Sequence, residues 1–215
     1  MSDAVRRSYD AIAGDYAGAM LDELRHKPFD RALLDRFTAS LGAGRVCDLG
    51  CGPGQVAGYL HAAGLNVFGL DLSPGMIGEA RRAHPAIPFG VADLLALPLA
   101  DASLDGIAAF YAIVNLAPEN LPRALVEFAR VLRPGGRLLL SFHVGDSVIE
   151  LGELWNRKVE LAFRFFSPAQ IGAELEAAGI AVETIAERPP YLEIEYRSHR
   201  AYALARRRPR GLAAN

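Results

Sequence analysis

Val46-Cys47-Asp48-Leu49-Gly50-Cys51-Gly52-Pro53-Gly54 is a short apolar run that ends in an acid and then in three glycines at alternate positions. Val46 and Leu49 give it strand character, and Gly50, Gly52 and Gly54 permit a turn whose backbone meets a ligand with no Cβ in the way. The spacing predicts a helix over residues 55–63 whose N-terminal amides point into the same cleft. In an open α/β sheet this edge is where ligands bind.

Working outward, a second apolar run ends in Asp71, and a third, residues 87–92, is followed by Asp93. Three consecutive strand candidates therefore carry a carboxylate to one rim: Asp48, Asp71 and Asp93. A single acid there is as readily a solvated helix cap, whereas three beside a glycine turn point to a ligand. The glycines follow G-x-G-x-G; the dinucleotide fingerprint would want a glycine at 55, where Gln55 stands, which disfavours a nicotinamide oxidoreductase. Cys47 and Cys51 are spaced Cys-x-x-x-Cys with no further Cys and no nearby His pair, so no metal site is expected.

With these residues in view, the chain resembles the class I S-adenosylmethionine-dependent methyltransferases, in their small-molecule branch. The resemblance rests on VCDLGCGPG, GLDLSPGM, ADLLALP, LDGIAAFYAIVNL and LRPGGRLLLSFH, in that order over residues 40–145. It implies a Rossmann-like, doubly wound, seven-stranded and mostly parallel sheet with an antiparallel last strand. It also implies S-adenosyl-L-methionine as cofactor and S-adenosyl-L-homocysteine as product. Asp71 is then expected to accept both ribose hydroxyls, charge-assisted bonds of about 1.5–3 kcal/mol each. Asp48 is expected near the methionine ammonium, Asp93 and the Leu94 backbone at the adenine amine, and Leu72 and Met76 on the faces of the ring. Gly50, Cys51, Gly52, Gly54, Phe110 and Tyr16 complete the expected cofactor set.

The 215 residues suit one α/β domain, and a net charge of −2 gives no basic footprint for nucleic acid. The N-terminus has no apolar signal core and no apolar run approaches membrane-span length, so the expectation is a cytoplasmic monomer or homodimer with no membrane partner. Val5, Tyr9, Ile12, Ala13 and Tyr16 recur at helical spacing, which predicts a lid helix within residues 2–24; a second helix is expected over 29–40. The expected organisation is lid helices over 1–41, the methyltransferase domain over 42–208 and a disordered tail over 209–215. Within the domain, β-α repeats five times, followed by a short helix and a strand hairpin. Residues 144–166 break the pattern and read as an insertion.

Substrate selection falls to the lid helix, the segment after His143 and the loop over 189–200. Methyl transfer is an in-line displacement at an activated carbon, for which alignment and water exclusion supply up to about 7–11 kcal/mol. A base is optional: a phenol or alcohol benefits from one nearby, whereas a thiol or carboxylate ionises unaided. His143, at the carboxyl end of the fifth strand, is the catalytic candidate; the alternative is a histidine that merely hydrogen-bonds a loop. Tyr9, Tyr111, Asn115, Trp155 and Tyr191 are the substrate candidates, with Phe163, Phe165 and Phe166 as further wall or core. The fourth strand lacks the Asn/Asp-Pro-Pro-aromatic signature, and no Pro-Cys nucleophile is present. What remains is a methyl acceptor O, N or S atom on a small, partly apolar metabolite. The rival is a cyclisation or elimination in the same fold.

Overall fold

The computed structural model describes residues 3–209. In chain order the elements are α1 (Asp3–Met20), α2 (Pro28–Ala39), β1 (Arg45–Leu49), α3 (Gln55–Ala62), β2 (Asn66–Asp71), α4 (Pro74–Ala83), β3 (Phe89–Val91), β4 (Leu104–Phe110), α5 (Leu121–Val131), β5 (Leu132–His143), β6 (Val148–Leu154), β7 (Arg157–Arg164), α6 (Pro168–Ala177), β8 (Ile180–Arg188) and β9 (Arg200–Arg207). Short 3-10 turns lie at Glu23–His26 and Pro118–Asn120. The expected tail from residue 210 onward lies outside the described residues, as do Met1 and Ser2.

Seven strands form one sheet in the order β3-β2-β1-β4-β5-β9-β8, parallel except for β9. The antiparallel strand is last in the chain, but it lies one place in from the edge, between β5 and β8. The order reverses between β1 and β4, which opens the ligand crevice at their carboxyl ends. Fully buried Leu49, Ile107, Leu138 and Leu140 line one face of the sheet, and α5 covers them with Leu121, Ala124, Leu125 and Phe128 at helical spacing. Each such side chain contributes roughly 1.5–3 kcal/mol by leaving water.

Two expectations need correction, and a third gains its form. No helix joins β3 to β4; residues 92–103 are turns, because Pro98 and the acid-capped turn at Asp93 interrupt any helical period. The expected insertion after β5 is a two-stranded antiparallel hairpin, β6-β7, separate from the main sheet. Its two-residue turn holds Trp155 at φ 49° and Asn156 at φ 57°, the paired left-handed geometry that matches strand twist. Finally, α2 is no lid: Leu33, Leu34 and Phe37 share a core with Val46 and Tyr202. Of the two helices α1 is the one on the crevice, held between α4 and β7 with Ile12, Met76 and Leu161 buried together. No helix among the described residues is long and apolar enough to cross a membrane.

Candidate functional site

The glycine turn leaves β1 with Gly50 at φ 66°, Gly52 at φ 51° and Gly54 at φ 89°. At Gly50 a Cβ would sit 2.7 Å from that of Ala112, so only glycine lets β1 and the end of β4 close together. At Gly52 the same atom would project toward the Tyr16 ring, 3.7 Å away, across the crevice. Asp71 fixes the turn from β2: Oδ2 accepts the Gly52 amide at 2.9 Å and Oδ1 accepts the Ser73 amide at 2.8 Å. Burial pushes its carboxyl upward against the pull of those amides.

A cavity of about 240 Å³ opens from this turn toward the end of β5. Of the residues expected at a cofactor, Gly50, Cys51, Gly52, Asp71, Leu72, Met76, Leu94, Phe110 and Tyr16 stand on its wall; so do Tyr9, Tyr111, Asn115, His143 and Phe163. The turn end, with an acid beside free-φ glycines and apolar Leu72, Met76 and Leu94, suits a nucleoside carrying a polar tail. Asn115 Nδ2 donates to Tyr9 Oη at 2.7 Å, and Tyr9 and Tyr16 meet edge-on at 6.1 Å. Among the described residues no cluster of three or more Cys, His, Asp and Glu could hold a metal.

Five candidates are off the wall. Asp48 is 1% exposed beneath the turn, where Oδ2 accepts the Ala57 amide of α3 at 2.9 Å; burial pushes its carboxyl to about 7. Gly54 sits behind the turn against His84 and Phe89. Asp93 is half-buried and caps its own turn, accepting the Leu95 amide at 2.9 Å. Trp155 tops the hairpin, edge-on to the outer side of Tyr16 at 5.9 Å. Tyr191 turns inward instead: its hydroxyl accepts the Phe29 amide, and Arg188 stacks on its ring at 4.2 Å. Phe166 is core and Phe165 stacks on His143.

The far end of the cavity is polar. His143 lies between the rings of Tyr111 at 5.0 Å and Phe165 at 5.1 Å, with Nδ1 and Ser198 Oγ 2.8 Å apart. Burial, aided by Arg200, lowers its imidazole to about 4. Beside it stand residues that no local pattern in the sequence singles out. Lys27 pairs with Glu23 at 2.5 Å and with Glu195 at 3.1 Å. Glu195, 2% exposed in its side chain, also receives both Arg188 terminal nitrogens, at 2.7 and 2.9 Å, and has Arg200 Nε 3.2 Å away. Burial alone would raise Glu195; Arg188 first, with Lys27 and Arg200, brings it to about 2. Arg188 turns its Nη2 to Asp30 at 2.7 Å. The loop over 189–200 does reach the site, as its place in the chain predicts, but through Glu195 and the cations drawn to it rather than through Tyr191.

The family described as Methyltransferase domain matches residues 47–140. Over 151 residues the chain is 37% identical to a malonyl-[acyl-carrier protein] O-methyltransferase of Enterobacter lignolyticus, covering 67% of this chain and 58% of that protein. Over 141 residues it is 36% identical to a demethylmenaquinone methyltransferase of Beutenbergia cavernae, covering 66% and 55%. The chain thus spans little more than half the length of these relatives. Among solved structures, a SAM-dependent methyltransferase from Methanosarcina mazei superposes with a TM-score of 0.73 at 17% identity, over 80% of this chain and 96% of that one. The [4+2]-cyclase SpnF gives 0.74 at 18% identity over 95% and 96%. These two likenesses are likenesses of fold. With the matching domain, the sequence relatives and the sheet order taken together, the chain belongs to the class I S-adenosylmethionine-dependent methyltransferase family.

Proposed function

We propose that the chain transfers a methyl group from S-adenosylmethionine to a small, partly apolar metabolite. The observation that carries this is Asp71, which braces the Gly52 amide while facing the cavity beside Leu72, Met76 and Leu94. In this reading its carboxylate takes the ribose hydroxyls, Gly50 and Gly52 admit the polar tail, and the three apolar side chains hold the purine. The cofactor supplies a methyl on a sulfonium, already activated for displacement.

The chain's own work is then alignment and exclusion of water. Tyr9 and Tyr16, on α1, close the cavity over the turn, and Phe110, Tyr111 and Phe163 wall the side toward His143. At about 4, His143 is neutral at ordinary pH but weakly basic, which favours a positioning role over general-base catalysis. The relative named for demethylmenaquinone, a quinone, supports an acceptor with an apolar portion. Ile194 and Tyr196, exposed yet on the cavity wall, offer such a portion a surface at the mouth.

S-adenosylhomocysteine at a hundred times its dissociation constant should stabilise the fold by about 2.7 kcal/mol, a melting shift of about 5–11 °C. Absence of that shift, with a clear one from NAD, would overturn the reading. Mass spectrometry of products from a trideuteromethyl donor separates methyl transfer from cyclisation, which leaves the donor intact.

A further inference from the structure

Tyr202 is wholly buried on β9, and its hydroxyl donates to Asp30 Oδ1 at 2.9 Å. Asp30, 1% exposed, accepts from Arg188, whose Nη2 and Nε reach Oδ2 at 2.7 and 3.1 Å. A tyrosine has one hydroxyl proton, and that of Tyr202 is committed to Asp30. The Tyr111 hydroxyl, 3.3 Å from that of Tyr202, is therefore the donor of its pair, and Tyr202 accepts. Tyr111 is a residue of the cavity wall, and with its proton given to Tyr202 its oxygen has only lone pairs for an acceptor that reaches it.

Resting on the methyltransferase reading, we infer that the acceptor is a neutral hydroxyl that donates its proton to Tyr111, and that Tyr111, Tyr202 and Asp30 form the relay that removes this proton. As the acceptor oxygen bonds to the methyl carbon, the carbon–sulfur bond breaks with its electron pair on sulfur. The acceptor proton passes to Tyr111, that of Tyr111 to Tyr202, and that of Tyr202 to Asp30, which ends neutral. Long hydrogen bonds in a ligand-free site tighten when the reactants are in place.

The surroundings agree. Burial, with Asp30, pushes the Tyr111 hydroxyl up to about 12, which keeps it protonated as a relay needs, while Lys27 Nζ, 5.9 Å from the centre of its ring, offsets part of that rise. Burial raises Asp30 above the usual carboxylate range, against the pull of Arg188, and so makes it the better proton acceptor. Tyr111 is held in place at φ 54°, with its amide on the carbonyl and hydroxyl of Ser141, at 3.2 and 3.0 Å. An anionic acceptor has less to gain here. Lys27 is occupied by Glu23 and Glu195, and Arg200 gives Nη1 to the carbonyls of Tyr196 and Ser198 while Nε faces Glu195. A carboxylate or thiolate has no proton for Tyr111 and would meet its lone pairs. An amine loses its proton only after transfer, so it needs no relay.

The test begins with calorimetry of S-adenosylhomocysteine; failure to bind refutes the family activity and is distinct from any result with an acceptor. On protein saturated with that product, 2-naphthol and 2-naphthoate, one scaffold with two acceptor chemistries, are then titrated near neutral pH. Naphthol should bind at least about tenfold tighter, and Tyr111→Phe should erase the preference. Naphthoate binding as well as naphthol, or neither binding, overturns the inference. With naphthol and the methyl donor, Tyr202→Phe should lower kcat by about 10²-fold, with KM and product affinity within about threefold. The wild type should also show a solvent deuterium effect on kcat that Tyr202→Phe loses. A Tyr202→Phe protein with unchanged kcat and isotope effect, or formation of 2-naphthoate methyl ester in preference to the ether, overturns it equally.

Discussion

Ser73 Oγ donates to Asp10 Oδ1 at 2.6 Å, and so joins the N-cap of α4 to the middle of α1. The same Ser73 oxygen accepts the Met76 amide at 3.1 Å, and Asp10 Oδ1 also accepts the Gly75 amide at 2.9 Å. One carboxylate thus caps a helix in another segment and clasps the element that closes the cavity. Asp10→Ala should lower stability by about 1–2 kcal/mol through the lost cap. Hydrogen exchange should speed up over α1 far more than over β1 or β4, and uniform protection in the variant would contradict the clasp.

At Asp71 the Gly52 and Ser73 amides depend on one carboxylate that the donor also needs. Asp71→Asn keeps one acceptor oxygen for the turn and removes the charge. It should weaken S-adenosylhomocysteine binding by about 2–4 kcal/mol, well beyond any loss of ligand-free stability. Calorimetry on a folded variant with unchanged affinity would remove Asp71 from the donor site.

Asp48 and His143 pull the pH dependence of stability in opposite directions. Asp48 at about 7 binds more proton when folded than when unfolded between about pH 4 and 7, so its part of the stability falls as pH rises through that window. His143 at about 4 binds less proton when folded, so its part is lost as pH falls from about 6.5 toward 4. Asp48→Asn should therefore raise ligand-free stability at pH 8 relative to pH 5, and His143→Gln should flatten the decline on the acid side. Urea melts across that range check both signs; an Asp48→Asn slope equal to wild type would mean that Asp48 titrates normally.

Arg188 stands between two buried acids, Asp30 and Glu195. Arg188→Met leaves both without that partner and should destabilise by about 3–5 kcal/mol. The double variant Arg188→Met with Asp30→Asn should recover part of the loss. A single variant as stable as wild type in denaturant melts would show that the cluster does not hold the β8-β9 loop.

The succession of strands and helices around the glycine turn, and the acid that ends β2, were legible from the chain because each depends on neighbours within a few residues: short apolar runs, free φ at Gly50 and Gly52, and a carboxylate at a strand end. The same local rules reached the Ser73 cap, whereas Leu72 and Met76 came from the family resemblance. Those rules did not show how Asp48 and Asp93 turn, since a strand end does not say whether a carboxylate faces the crevice or an amide such as Ala57 or Leu95. They marked residues 144–166 as an insertion without reading the hairpin β6-β7 in it, although Val159 and Leu161, buried against α1, alternate with exposed Lys158 and Glu160. Lys27, Asp30, Arg188, Glu195, Arg200 and Tyr202 lie up to 172 positions from their partners. Isolated in sequence they read as ordinary surface charge and a strand tyrosine. Only the placement of β9 between β5 and β8 brings them together, and burial, which removes the water that would otherwise solvate each one, obliges them to satisfy one another.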